Sequence, residues 1–172
     1  SVWDLQNISN NLSADYILES DIDASPTFYW NSGKGFDPIG PSFMGSLNGF
    51  GHCIKNLYID RDSEDTIGLF EEISSDAVVK NVNLVNADIT GNDRVGILAG
   101  YNRGTISRCL TQGTVDGSDS VGGFIGVNSG GSITRSWANA TVSGDEGVGG
   151  AMGSSLGSIY HLRATGSVNG YS

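Results

Sequence analysis

Three tracts of this chain repeat one another closely: VGILAGYNRGTISRCLTQGTVDG begins at Val95, VGGFIGVNSGGSITRSWANATVSG at Val121 and VGGAMGSSLGSIYHLRATGSVNG at Val148, at offsets of 26 and 27 residues. A period that short cannot enclose a hydrophobic core, so each copy must be one layer of a stack whose apolar face is buried by its neighbours. Within a layer the apolar residues fall in short β-branched segments punctuated by Gly, Asn, Asp and Ser, which leaves no room for helices of ordinary length.

Superimposing the copies gives columns that extend upstream. Ile67, Val95, Val121 and Val148 form one, each followed by glycine at Gly68, Gly96, Gly122 and Gly149. A second contains Ile54, Val79, Ile106, Ile133 and Ile159, with Leu57, Val82, Cys109, Ser136 and Leu162 three residues later, and a third contains Val115, Val142 and Val168. Identical segments recurring in the same order at one-layer offsets pair parallel, and the crossover rule makes the coil right-handed. The predicted fold is therefore all-β, a right-handed parallel β-helix of about five to six coils in one domain, with an N-terminal helical cap. Ser136, polar in an apolar column, is expected to bond a neighbouring carbonyl, because an unpaired buried hydroxyl costs about 1–3 kcal/mol.

Residues 1–13 place Trp3, Leu5, Ile8 and Leu12 near one helical face, and a capping element is what the open end of a parallel coil needs. Residues 14–60 read as irregular first coils containing a long loop at 25–41, and residues 61–172 as regular coils. Val168-Asn169-Gly170 matches the end of a repeat with no cap after it. The expectation is a fragment of a longer protein, or a last coil that stacks end to end on a partner.

Nine basic against nineteen acidic residues give a net charge of −10, which disfavours nucleic acid and anionic membranes as partners. No apolar run is long enough to span a bilayer, so membrane insertion is not expected. Cys53 and Cys109 should lie about two strand spacings of ~4.8 Å apart, beyond the roughly 7 Å reach of a disulfide, and are expected to be free.

The recurring VGGxxGxNxGGxIxxxxxxxxVxG pattern, with PIG at Pro38 to Gly40, FMGSLNGFGHCIKNLYI from Phe43 and IGLFEEI from Ile67, resembles the GLUG-motif repeats of large bacterial surface and secreted proteins, including filamentous-haemagglutinin-like adhesins and proteins that accompany immunoglobulin-A-cleaving metallopeptidases. The resemblance implies an extracellular, surface-attached β-helical module and brings no catalytic residues with it. The asparagine usual in the second strand is kept at Asn56 and Asn81 but replaced by Arg108, Arg135 and His161. That departure from the family pattern is expected to remove any asparagine ladder from the later layers and to put a basic stripe there instead.

Three sets of residues carry candidate chemistry. Asp65, Asp93, Asp119 and Glu146 recur two residues before the Ile/Val column, and stacked turn carboxylates could hold Ca²⁺, although turns favour such residues anyway. Arg108, Arg135 and His161 stack one per layer and could grip a uronate or sialic acid carboxylate. The competing reading is that they cover apolar wall and pair with nearby acids. Trp30, with Phe28 and Tyr29, could form a sugar platform or fold its loop down, and Trp137 with Tyr160 could form a second aromatic patch. His52 and His161 have no metal or triad spacing around them, and His52 reads as a turn residue bonded to backbone.

These readings favour a non-enzymatic adhesin-type module, secreted or at the bacterial surface, that presents or extends a binding surface to a host or neighbouring-cell protein or glycan without cofactors other than Ca²⁺. The alternatives are a polysaccharide-binding or polysaccharide-processing β-helix and an accessory domain of a secreted peptidase.

Overall fold

Among the described residues every strand-to-strand ladder is parallel, with residues one repeat apart in sequence paired, and one isolated antiparallel bridge joins Gly35 to Ile59. In the computed structural model, which describes residues 1–170, the chain winds as a parallel β-solenoid of about six turns with one short N-terminal helix, Val2–Gln6. A representative turn runs through Asp119–Gly122 in a three-stranded sheet, Ile125–Asn128 in a four-stranded sheet and Ser132–Gly144 in an eleven-stranded sheet.

Side chains alternate along each strand, so Ile133, Ala138, Ala140 and Val142 point into a dry interior and Thr134, Trp137 and Thr141 point out. The alternation slips once per coil at a corner in the left-handed backbone region: Asn81 (φ 55°), Arg108 (φ 53°), Arg135 (φ 48°) and His161 (φ 55°). That extra corner residue is why Ile133 and Ser136, three apart, both face inward. It also explains the asparagine of the motif, because Asn tolerates left-handed φ better than other side-chain-bearing residues.

The columns Ile67–Val95–Val121–Val148 and Val79–Ile106–Ile133–Ile159 are in register as predicted. Two upstream assignments are corrected. Leu47, not Ile54, pairs with Val79, while Ile54 lies between Ile22 and Leu84. Leu57 sits one residue before the Tyr58–Asp88 pair rather than in the Val82 and Cys109 column. The cause is coil length. Asp15 to Ser46 and Ser46 to Val78 span 31 and 32 residues, whereas Val78 to Thr105, Thr105 to Ser132 and Ser132 to Ser158 span 27, 27 and 26. A period taken from the late coils slips when carried into the early ones.

At the N-terminus Ser1 and Asp4 form a reciprocal capping box, and Val2, Leu5 and Ile8 are buried over the first coil. Trp3, predicted on that face, is instead 61% exposed. Its ring stacks on Trp30 at 4.1 Å, which ties the cap to the loop. The 25–41 stretch holds two short 3₁₀ turns, Phe36 and Ile39 are fully buried, and Ile39, with Phe43 just beyond the stretch, forms isolated parallel bridges to Phe70 and Ile73 at the edge of the four-stranded sheet. In the last coil Ile159 and Val168 are 44% and 47% exposed, because among the described residues no further layer covers them.

Cys53 and Cys109 are free, as expected. The Ser136 hydroxyl donates to Thr134 O at 3.0 Å and accepts from Cys109 N–H at 3.2 Å, so its burial is satisfied.

Candidate functional site

The outward face of the eleven-stranded sheet collects side chains from successive coils in rows. One row is Asn48, Lys80, Ser107, Thr134 and Tyr160. Beside it runs the left-handed corner, Asn81, Arg108, Arg135 and His161, followed by a row of Asn83, Leu110, Trp137 and Arg163. Arg108, Arg135 and His161 are therefore brought together as predicted, one per coil and exposed. Lys80 and Arg163 join them and were missed from the sequence. Arg163 sits 26 residues after Trp137, so the period that revealed the stripe also places it there.

The pairing of cations separates this wall from the rest of the molecule. Of the nine basic side chains, five reach carboxylates: Lys34 with Glu64 at 2.8 Å, Lys55 with Asp21 at 2.7 Å, Arg61 with Asp37 and Glu64, Arg94 with Asp65 at 3.4 Å, and Arg103 with Glu72 at 4.0 Å. Lys80, Arg108, Arg135 and Arg163 have no carboxylate at salt-bridge distance among the described residues. The expectation that the stripe neutralises nearby acids is thus not met. On the same face Asp88 accepts from Thr114 Oγ1 at 2.8 Å in a different row, at the far side of the sheet.

Aromatic side chains flank the cations. Arg163 lies over the Trp137 ring at 5.5 Å, and Tyr160 packs on His161 at 4.0 Å. Trp137 faces Arg163 and Tyr160 faces Thr134 across the sheet, so the predicted aromatic patch consists of a Trp137–Arg163 cation–π pair and a Tyr160–His161 ring pair rather than a contact between the two aromatics. Trp137 Nε1 donates to Thr165 Oγ1 at 3.1 Å, which fixes the indole while leaving it 41% exposed. Trp30 stands apart at the N-terminal end, held between Trp3 and Phe36, and serves the cap.

The acidic column is real as a stack. Asp119 pairs with Glu146, the backbone N–H of Arg94 bonds Asp119 O, and Asp93 N–H donates to Asp65 Oδ1. Asp65 is occupied by the protein itself, accepting from Asn92 Nδ2 at 2.9 Å and from Arg94 at 3.4 Å. Among the described residues no three His, Cys, Asp or Glu side chains converge as a metal site.

His52 bonds within its turn through its backbone N–H to Gly49 O, but its imidazole faces Asp21 at 3.4 Å rather than a backbone group. The Lys55 ammonium and the Cys53 N–H hold the exposed Asp21 carboxyl down to about 2.

No family model matches the chain. It is 47% identical over 137 residues to halomucin of Haloquadratum walsbyi, a match covering 73% of this chain and 2% of that protein. It is also 33% identical over 115 residues to a protein of Evansella cellulosilytica provisionally named a Gly-rich membrane protein, covering 63% of this chain and 13% of the other. The chain thus spans a small part of the length of these relatives. Among solved structures, the chain superimposes with a TM-score of 0.71 and 22% identity on a provisional immunoglobulin A1 protease from Bacteroides ovatus, over 96% of this chain and 65% of that one. At that identity the likeness is one of fold. No helix of the described residues is long and apolar enough to cross a membrane.

Proposed function

We propose that this chain is a non-enzymatic, adhesin-type binding module of a secreted or surface protein, a stiff solenoid that carries one cationic and aromatic wall to its ligand. The observation that carries the reading is the concentration of unpaired cations on that wall in an acidic chain. The ladder supplies rigidity, because each coil hydrogen-bonds the one above and below, so the spacing of displayed side chains is set by backbone geometry. The similarity to halomucin and the resemblance of the repeat to GLUG-motif exoproteins support an extracellular setting.

The test is adhesion. Beads coated with the module should bind intact cells or their shed matrix more than beads coated with a scrambled-wall variant, and an antibody to the module should label intact cells that produce it. Equal binding by both bead types together with purely internal labelling would sink the reading.

A polysaccharide-processing enzyme is the second reading. It needs carboxylates across from the arginine stripe, whereas Asp88 lies rows away and is engaged by Thr114. Release of unsaturated or reducing ends from uronate polymers would favour it. An accessory role beside a secreted peptidase rests on the fold likeness to the Bacteroides ovatus protein alone.

A further inference from the structure

We infer that the wall formed by Lys80, Arg108, Arg135 and Arg163 binds a short acidic oligosaccharide through the carboxylates of its sugar rings. The inference rests on the proposed reading of this wall as the module's binding face and adds the chemistry of the ligand.

Charge is segregated along the solenoid. The whole net charge of −10 belongs to residues 1–119, since residues 120–172 hold Arg135 and Arg163 against Asp145 and Glu146. Those two acids lie at Asp145 and at the start of Glu146–Gly149 in the three-stranded sheet, away from the wall. The long strands Ser132–Gly144 and Ser158–Gly170, which form the wall's last two layers, contain no acidic residue.

Geometry then selects the ligand. Successive corners lie one strand spacing apart, about 4.8 Å, so the backbone sets Arg108 and Arg135 close enough for their planar guanidinium forks to reach carboxylates on neighbouring rings. Trp137 and Tyr160 leave 41% and 60% of their surface beside the forks, faces on which the apolar side of a sugar ring can pack. From Lys80 to Arg163 the wall crosses four coils, roughly 15 Å, the length of a short oligosaccharide. A long polyanion would run on to the acidic early coils and be repelled, which also argues against nucleic acid.

The experiment is calorimetric titration of the whole chain with trigalacturonate, α2,8-linked trisialic acid and lactose, repeated with the double variant R108N/R135N. Asparagine suits the corner, so the variant folds, and circular dichroism verifies this. The expected result is binding of at least one acidic probe, with lactose and the variant each weaker by at least about tenfold, and weaker binding in about 0.5 M salt. Trigalacturonate and trisialic acid distinguish a uronate from a sialic acid source. Equal affinity for lactose, unchanged affinity in the variant, tighter binding of a single-stranded oligonucleotide, or no binding of either acidic probe would each overturn the inference. If coated beads still adhere to cells in any of those cases, the binding-module reading stands and only the ligand assignment fails.

Discussion

Asn102 Nδ2 donates to Asn128 Oδ1 at 2.8 Å, one coil apart, with both amides fully buried. The ladder goes on from Asn128 Nδ2 to Ser155 Oγ at 3.3 Å, and Asn102 Oδ1 also takes the Gly104 N–H at 3.0 Å. Glycine is required alongside: a Cβ at Gly131 would collide with the Asn102 and Asn128 amides, and one at Gly157 with Asn128. The expectation that the late coils have no asparagine ladder is thus corrected: one exists, but inside the solenoid rather than in the corner column, where arginine and histidine replace the asparagine.

Asn128→Leu should therefore leave the Asn102 amide without its partner and lower stability by about 1–3 kcal/mol. In a chain of this size that is a fall in Tm of about 2–4 °C for each kcal/mol. Thermal unfolding followed by circular dichroism checks it, with the exposed Asn10→Leu as a control expected to change little. Equal melting of the two variants would show that the ladder does not contribute.

A trade between stability and binding is expected at the corner. Arg135→Asn should raise stability by about 0.5–1 kcal/mol, part of the roughly 1–2 kcal/mol that the left-handed conformation costs an ordinary L-residue. Chemical denaturation of the single variant measures it. A loss of stability would mean that the Arg135 side chain supports the wall through packing instead.

The same column offers a test of the layer model. Ile133 is fully buried between Ile106 and Ile159, whereas Ile159 is 44% exposed. Ile133→Ala should cost about 2–5 kcal/mol, and Ile159→Ala clearly less because its site can collapse into solvent. Urea denaturation of both variants gives the comparison, and equal losses would contradict the exposure of the final coil.

Architecture was legible in the sequence because a stack repeats its inward positions, and Val95, Val121 and Val148 announce the period directly. Register in the early coils was not, because Leu47 and Val79 lie 32 residues apart where the late period is 26 or 27. The stripe of Arg108 and Arg135 could be read from spacing alone. What spacing could not give was partnership: whether Arg94 meets Asp65 while Arg135 meets no acid depends on which outward rows adjoin. Nor does the letter Asn by itself distinguish an inward amide such as Asn128 from a left-handed corner residue such as Asn81.

Cys109 closes the set with a dependence on pH. Burial pushes its thiol from the ordinary 9.0 up to about 12, outweighing the backbone hydrogen bonds around it. The folded state therefore holds the proton more tightly than the unfolded state does. The resulting stability is fully present below the unfolded thiol pKa and is progressively lost as pH rises from about 9 towards about 12. Cys109→Ala removes this ionisation, so its loss of stability relative to the parent should shrink across that window, measured by denaturation at a series of pH values. At neutral pH a thiol reagent should modify Cys53, which is partly exposed, and reach Cys109 only after unfolding. Rapid labelling of two thiols in the native protein would contradict the placement of Cys109 in the core column.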